Sequence, residues 1–147
     1  MRTLKLLFLF LGISILGFSK DTKQDIKCLT QTIYYEARGD SFTGKLAVAN
    51  VVMNRYRLWN YKSVCSVISD KGQFGWYGFR NNRILEEDKW IEAEDLALLV
   101  YYRRIEDNTH GATFFHERTV KPSWSKDLTL VARIGKHIFY SERTLDT

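Results

Sequence analysis

The chain has few of the residues that interrupt or cross-link a fold. Its 147 residues include one proline, nine glycines and two cysteines. So little proline and glycine argues against a low-complexity segment or a long disordered linker. The three histidines and two cysteines form neither a C-x-x-C nor an H-E-x-x-H spacing, so we expect no metal and no cofactor.

A strong excess of one charge is also missing. Lysine and arginine total 22 against 17 acidic residues, and the formal net charge of +5 is spread along the chain. Recognition of nucleic acid usually needs a clustered basic face, so we expect no nucleic-acid partner. The mild positive excess suits an anionic polymer surface, but an ordinary solvated surface explains it as well. A length of 147 residues with 45% hydrophobic residues predicts one domain, expected to be a monomer.

The apolar run at the N-terminus is too short for an ordinary membrane span. Residues 6–16 are apolar except for a glycine and a serine, follow a basic start, and are followed by small residues before Lys20. That order is typical of a secretory signal peptide, and a spanning helix needs about 20 apolar residues. We predict a signal peptide over residues 1–19, or an uncleaved anchor, and an exported domain over residues 20–147. The domain is expected to be secreted, periplasmic or in the cell envelope.

The two cysteines, Cys28 and Cys65, both lie in the predicted exported part. In an oxidising compartment such a pair is more often bridged than free, although two buried thiols are the alternative. A bridge would close a loop of about 38 residues, worth roughly 4 kcal/mol in the chain-entropy model.

Apolar residues at intervals of three and four predict most of the chain to be helical. The predicted helices are residues 25–38, 45–58, 64–68 and 86–104. Asp21 or Thr22 is expected to cap the first helix, Gly39 to end it in a left-handed conformation, and Ser63 to cap the short third one. The last helix has acids early and arginines late, as the helix dipole prefers.

The second predicted helix is apolar nearly all round, which indicates burial on most sides. Asn50 and Asn54 interrupt it on one face. They are either polar residues on the helix surface or side chains that hold the Glu36 turn through hydrogen bonds. Arg55 and Arg57 stand near its C-terminal end, where they suit the helix dipole.

The C-terminal part is less helical. Residues 112–116 and 134–140 are predicted to be extended, and Pro122-Ser123-Trp124 to form a turn between them. The predicted fold class is therefore α+β, mainly α, with a short extended, hairpin-like C-terminal portion.

Two stretches have the composition of a binding or reaction site. Glu36 ends an apolar helical run beside Tyr34 and Tyr35, where a helix gives way to a turn. An acid placed there can be a proton donor. Residues 72–79 alternate three glycines with four aromatic residues, which disfavours helix and can present flat rings to sugars, or else packs as a satellite core.

Four separated blocks of the chain together resemble the SleB-type cell wall hydrolases, the family named for the spore cortex-lytic enzyme. The blocks are residues 28–40 with IYYEARGD, 44–55 with AVANVV, 64–76 with VCSVI and QF, and 112–140 with ATFFH, PSW and IGKHIFY. The resemblance implies a lysozyme-like fold and cleavage of peptidoglycan glycan strands between MurNAc and GlcNAc. It further implies the reaction of a lytic transglycosylase, with the family's catalytic glutamate at Glu36.

This chemistry sets requirements for Glu36. A donor to the glycosidic oxygen must keep its proton near neutral pH, which burial among aromatic groups promotes, so Arg38 is predicted to point away. Hydrolysis would usually need a second carboxylate. The candidates are Asp40, Glu117 and the cluster Glu86-Glu87-Asp88. None stands out, which favours transglycosylation because one acid suffices for it.

Further side chains are predicted to bind the glycan by hydrogen bonds or ring stacking. They are Gln73, Phe74, Trp76, Phe115, His116 and Trp124. His137 is expected to be structural. Two other functions stay open: a stem-peptide amidase or peptidase using Cys65 and His116, and a non-catalytic peptidoglycan-binding module.

Overall fold

A computed structural model describes residues 19–78 and 83–142. The predicted signal peptide lies outside these residues, apart from Ser19. In chain order the helices are α1 (Lys20–Ala37), α2 (Phe42–Leu58), α3 (Val64–Ser69) and α4 (Glu87–Tyr101). The strands are β1 (Phe114–Glu117), β2 (Thr129–Ile134) and β3 (His137–Ser141), with a 3-10 helix over Ser123–Asp127. Among the described residues, none of the helices combines the length and the apolar composition of a membrane span.

Helix α1 starts earlier and ends differently than predicted. Ser19, and not Asp21 or Thr22, is its N-cap, since the Ser19 hydroxyl accepts a hydrogen bond from the Thr22 amide. At the other end Gly39 does not adopt the left-handed conformation. The amide of Asp40 instead donates to the Ala37 carbonyl at 2.9 Å, and this tight turn needs no positive φ. The turn carries the chain from Glu36 straight into α2.

Helix α2 is the buried centre of the fold. Ser41 caps it, so it begins at Phe42, three residues before the predicted start. Both predictions for Asn50 and Asn54 were wrong, because both side chains are buried and neither bonds the Glu36 turn. Asn54 donates to the Ala112 carbonyl at 3.0 Å and to Asp107, which fixes the connection between α4 and β1.

Helix α3 is fastened to α1 by the predicted disulfide. Cys28 and Cys65 are bonded, with 5.3 Å between their Cα atoms, so the alternative of two free thiols is excluded. Ser63 caps the helix as predicted, and its hydroxyl and that of Ser66 satisfy each other's backbone amides in a capping box.

Helix α4 packs against α1 and is shorter than predicted. It ends at Tyr101, and Arg103 takes a left-handed φ of 53° just beyond it. The late arginines therefore lie outside the helix instead of in its last turn, whereas the early acids Glu87 and Asp88 do occupy the first turn.

The C-terminal part forms an antiparallel sheet with the strand order β1-β3-β2. Strand β1 lies close to its prediction, but a single strand over residues 134–140 was wrong. Gly135, at φ 55°, and Lys136 form a turn inside that apolar stretch, so it contains the corner of the β2–β3 hairpin. The sequence pattern also missed β2, and the predicted turn at Pro122 opens the 3-10 helix.

Two hydrophobic clusters hold these layers together. The larger joins the four helices around Leu29, Ile33 and Met53, all fully buried or nearly so. The smaller packs Phe139 of the sheet against Val48 and neighbouring residues of α2. The α+β, mainly α fold class is confirmed, and Glu36 stands where the helical layer meets the sheet.

Candidate active site

Glu36 lies in the last turn of α1, partly buried beneath the aromatic loop. The indole nitrogen Nε1 of Trp76 donates a hydrogen bond to Glu36 Oε1 at 2.8 Å. The contact spans 40 residues of sequence and joins the acid to the loop that the glycine and aromatic pattern had singled out. The next residue, Ala37, is buried in the cluster between α2 and the sheet, so the helix end is firmly held.

The surroundings raise the pKa of Glu36 above its usual value. Burial is the largest cause, because it disfavours the charged form, and the negative charge of Glu117 acts in the same direction. The hydrogen bond from Trp76 and the positive charge of Arg55 oppose the rise without cancelling it. Glu36 therefore keeps its proton to higher pH than an exposed glutamate, as proton donation requires.

Trp76 is the centre of the aromatic group beside the acid. Its ring centroid lies 5.0 Å from Tyr35, 5.9 Å from Phe74 and 6.0 Å from Tyr77. Phe74 is only 5% exposed and belongs to the helical core, whereas Tyr77 is 45% exposed. The loop thus has an inner support, Phe74, and outer rings, Trp76 and Tyr77.

Gln73 stands at the start of this loop with an exposed side chain. Its backbone amide donates to the Asp70 carbonyl at 3.2 Å. Among the described residues its side chain has no hydrogen bond, so the structure leaves it facing solvent at the rim.

Arg38 is engaged away from the acid, as predicted. Its Nε donates to Glu86 at 2.8 Å, and its guanidinium lies 5.1 Å from the centre of the Tyr34 ring. The Tyr34 hydroxyl in turn accepts hydrogen bonds from the backbone amides of Leu85 and Glu86 at 2.9 and 3.1 Å. Glu86 thus serves an ion pair at the start of α4 and is not placed as a second acid.

Asp40, the nearest acid in sequence, is a structural group. Its carboxylate accepts from the backbone amides of Ser41 at 2.7 Å and Lys136 at 2.9 Å, and lies 3.4 Å from Nδ1 of His137. Burial raises its pKa, but the two amides and His137 together hold the pKa below its usual value. Gly44 and Gly135 pack so closely on the carboxylate that a Cβ at either would collide with it.

His137 has the structural position that we predicted. Its side chain is buried, and burial lowers its pKa although the nearby Asp40 charge acts against that shift. It joins the β2–β3 hairpin to the turn after Glu36.

Glu117 is exposed at the end of β1, directly across the sheet from His137. Of the predicted second carboxylates, it is the one whose charge contributes to the pKa of Glu36.

A second aromatic group covers the outer face of the sheet. Trp124 lies 5.6 Å from the rings of Phe114, His116 and Tyr140, and the His116 ring stacks on Tyr140 at 5.4 Å. His116 Nε2 and the Tyr140 hydroxyl are also 3.0 Å apart. The structure therefore brings His116 and Trp124 together with each other on this face of the sheet.

Phe115 points to the opposite face of β1 from His116. It packs against Phe139 at 6.0 Å and His137 at 5.3 Å, and it touches both hydrophobic clusters. Phe115 therefore packs between the helical cluster and the cluster that joins α2 to the sheet.

Sequence reasoning missed the importance of Arg55, which it placed at a helix end for the dipole. The guanidinium is buried and lies 5.5–5.8 Å from the centres of the Trp59, Phe74 and Phe114 rings. It connects the two aromatic groups. The available signal was an arginine inside a helix that is otherwise apolar nearly all round.

Comparison with known proteins places this architecture among enzymes of the bacterial cell wall. The sequence profile described as "Cell Wall Hydrolase" matches residues 39–140. The matched range begins just after Glu36, so it carries no information on that residue.

Two curated relatives are spore cortex-lytic enzymes. That of Bacillus subtilis (strain 168) is 30% identical over 124 residues, which cover 84% of this chain and 38% of that protein. That of Halalkalibacterium halodurans is 29% identical over 119 residues, covering 78% of this chain and 34% of that protein. The chain thus spans between a third and two fifths of the length of these two relatives.

Two solved structures share the fold. The catalytic domain of a germination-specific lytic transglycosylase, SleB from Bacillus anthracis, aligns with a TM-score of 0.66 and 25% identity over 86% of this chain and 98% of that one. The catalytic domain of Bacillus cereus SleB aligns with a TM-score of 0.65 and 24% identity over 86% of this chain and 94% of that one. The fold expected from the resemblance is confirmed.

Proposed function

The chain belongs to the cell wall hydrolase family, and on that premise we propose that it cleaves peptidoglycan glycan strands as a lytic transglycosylase. Glu36 is the single general acid and base of this proposal. The similarity of the chain to spore cortex-lytic enzymes and to the Bacillus anthracis lytic transglycosylase supports peptidoglycan as the substrate and transglycosylation as the reaction class.

One observation carries the role of Glu36: a partly buried carboxyl with a raised pKa, held by the Trp76 indole at 2.8 Å. Trp76 Nε1 can only donate a hydrogen bond, so the neutral carboxyl accepts at Oε1 and carries its proton on Oε2. The proton is thereby directed from one defined atom, and the same hydrogen bond strengthens when the carboxylate forms.

The proposed reaction uses the Glu36 carboxyl group twice, first as an acid and then as a base. Glu36 first gives its proton to the glycosidic oxygen, and the bond from that oxygen to the anomeric carbon of MurNAc breaks as oxocarbenium-like charge develops. The C6 hydroxyl of the same sugar then attacks the anomeric carbon and transfers its proton to the Glu36 carboxylate. A 1,6-anhydro ring closes, and the acid is restored without a water molecule or a second carboxylate.

The exposed rings nearest the acid are the proposed sugar platform. The half-buried Trp76 and the exposed Tyr77 offer faces for stacking, and Gln73 at the loop rim offers an amide for hydroxyl or N-acetyl groups. Phe74 and Phe115 are assigned a supporting role behind this surface, since one is in the core and the other bridges the two clusters.

His116 and Trp124 are proposed to bind a more distant part of the same strand. They stand on the outer face of the sheet, and Phe114 packs both on Trp124 and beneath the Arg55 guanidinium, which also lies over Phe74. This chain of contacts leads from the second aromatic group back to the loop beside Glu36.

The substrate implies that the protein works outside the cytoplasm. We propose export by residues 1–19 into the periplasm, the envelope or the medium, and action there as a monomer. The disulfide suits an oxidising compartment.

The test is to digest purified sacculi with the protein and with the Glu36→Gln variant, and to identify the released muropeptides by mass spectrometry. The wild type is expected to release products ending in 1,6-anhydromuramic acid, each one water lighter than a reducing-end product. Glu94→Gln, an exposed change on α4, is the matched control and should behave as wild type.

Other products would replace the proposal. Reducing ends in place of anhydro ends would make the enzyme a hydrolase that uses water. New free amino groups without new glycan ends would indicate an amidase or peptidase, although not one using Cys65, whose sulfur is in the disulfide. Binding to sacculi with no release at all would leave only a binding module.

A further inference from the structure

Arg55 is a buried cation at the meeting point of the site's elements. Its residue is 5% exposed, and its Nε donates to the Thr113 carbonyl at 2.6 Å, just before β1. Its Nη1 atom is buried and has no hydrogen-bond partner among the described residues. A buried charge left partly unpaired costs stability, so its presence calls for a function.

The contacts of Arg55 lead in two directions, one to the acid and one to the sheet. Its guanidinium lies over Phe74, Phe74 packs on Trp76 at 5.9 Å, and Trp76 holds Glu36. The guanidinium also lies near the rings of Trp59 and Phe114. Phe114 belongs to the second aromatic group, and Trp59 packs on Phe114 at 5.5 Å. One side chain of α2 thus sets the spacing between the loop at 72–78 and the sheet.

Charged groups from several elements act on Glu36 and Arg55. Glu36 is influenced by Arg55 from α2 and Glu117 from β1, besides the Trp76 hydrogen bond. Burial lowers the pKa of Arg55 to about 10, while Tyr61, Asp70 and Glu36 act in the opposite direction. Arg55 therefore remains charged at neutral pH. Among the described residues, it is the cation whose charge lowers the pKa of Glu36.

We propose that Arg55 is a positioning residue that fixes the aromatic walls and supplies the positive charge that stabilises the Glu36 carboxylate after proton donation. This inference rests on the proposed function of Glu36. It goes further because it assigns the second half of the cycle, in which Glu36 is charged inside a desolvated site, to a residue that does not touch the substrate.

The sign of the effect follows directly. Arg55 favours the charged form of Glu36, so a neutral residue at 55 raises the pKa of Glu36 further. The rate falls at alkaline pH as Glu36 loses its proton, and this alkaline limb of the pH–rate profile should move to higher pH because Glu36 stays protonated longer. The maximal rate should fall at the same time. A merely structural role would lower the rate without moving the limb.

The experiment titrates the Glu36 carboxyl by carbon-13 NMR in protein labelled at glutamate, with its signal assigned by loss in Glu36→Gln. In Arg55→Gln the midpoint should rise by about 0.5–1 pH unit, and the rate of anhydromuramic release should fall about tenfold. Arg55→Met, an apolar chain that suits the three rings, is the second neutral variant should the polar one fail to fold.

Two further variants separate charge from packing. Arg55→Lys keeps the charge, so its Glu36 midpoint should stay within about 0.2 pH unit of wild type even if its KM rises. Arg57→Gln, two residues along the same helix, removes an equal charge away from the acid and should leave the midpoint in place.

An unchanged midpoint in the folded neutral variants overturns the inference, as does an equal shift in Arg57→Gln. The NMR titration needs no activity, so it tests Arg55 even if the wild type releases no anhydro products. That latter result would reject the proposed function alone.

Discussion

Glu36 and Asp40 lie four residues apart at the same helix end, and their surroundings move their pKa values in opposite directions. Burial raises the pKa of both. Glu36 accepts one hydrogen bond, from an indole, whereas Asp40 accepts from two backbone amides and lies beside His137. The number of donors, and not burial, decides which carboxyl can hold a proton and which is fixed as an anion.

The largest expected effect on activity comes from replacing the Glu36 carboxyl with an amide. Glu36→Gln keeps the shape of the side chain but removes its titratable proton, so the rate of glycan cleavage should fall by about 10²–10⁴-fold. Its thermal midpoint should match wild type or exceed it, because a buried acid has been replaced by a neutral amide. A variant that keeps more than about a tenth of the wild-type rate would remove Glu36 from the chemistry.

Replacing the Asp40 carboxyl with an amide should instead lower the stability of the fold. Asp40→Asn turns an acceptor of several hydrogen bonds into an amide whose NH₂ group faces donors, and we expect a loss of about 2–3 kcal/mol in the free energy of unfolding. Urea unfolding measures it, with the exposed Asp95→Asn as control. If Asp40→Asn abolished cleavage while unfolding as wild type does, the contrast between the two acids would be wrong.

The same variant has a pH signature. Since the folded state holds the pKa of Asp40 below its unfolded value, the unfolded chain takes up the proton first as pH falls. The stability from Asp40 is therefore present above the unfolded pKa and is lost as pH falls through the folded pKa. Asp40→Asn should flatten this part of the acid unfolding curve, and an unchanged curve would contradict the assignment.

Removing the hydrogen bond that Trp76 donates to Glu36 should shift the pKa of Glu36 but leave the carboxyl in place. Trp76→Phe keeps a ring against Tyr35 and Phe74 but loses the hydrogen bond that lowers the pKa of Glu36. The alkaline limb of the rate profile should move to higher pH, and the rate should fall about tenfold, the equivalent of one charge-assisted hydrogen bond. Trp90→Phe, which alters a ring packed on Tyr34 instead, should leave the limb where it is.

The smallest effect is expected at Glu117. Its charge raises the pKa of Glu36, so Glu117→Gln should move the alkaline limb to lower pH by a few tenths of a unit. The rate at the optimum should stay within about threefold of wild type. If this variant instead lost activity as Glu36→Gln does, Glu117 would be the second carboxylate of a hydrolase, and transglycosylation by one acid would be wrong.

The parts of the site predicted from the sequence are those that depend on local pattern. Glu36 ended an amphipathic helix, Ser63 preceded a short one, and the alternation of glycine and aromatic residues marked the loop that contains Trp76. Each signal lies within one helical turn or one loop. The long helices were found for the same reason, with errors of a few residues at their ends.

The parts that were missed depend on contacts between distant residues. Nothing near Asn54 reveals that it holds Asp107 and Ala112, and nothing near Asp40 reveals Lys136. The β2–β3 corner was hidden because Gly135 and Lys136 sit inside an apolar run. Arg55 was assigned to the helix dipole because the three rings around it come from three separate segments of the chain.

The bond between Lys136 and Asp40 also concerns the order in which the protein is made. It joins positions 96 residues apart, and the turn that it closes is the one leaving Glu36. During synthesis α1 and the acid leave the ribosome early, but the amide that fixes the turn follows only after the last hairpin has been translated. A chain that has not yet reached residue 136 therefore carries Glu36 without the backbone amide that holds the turn after it.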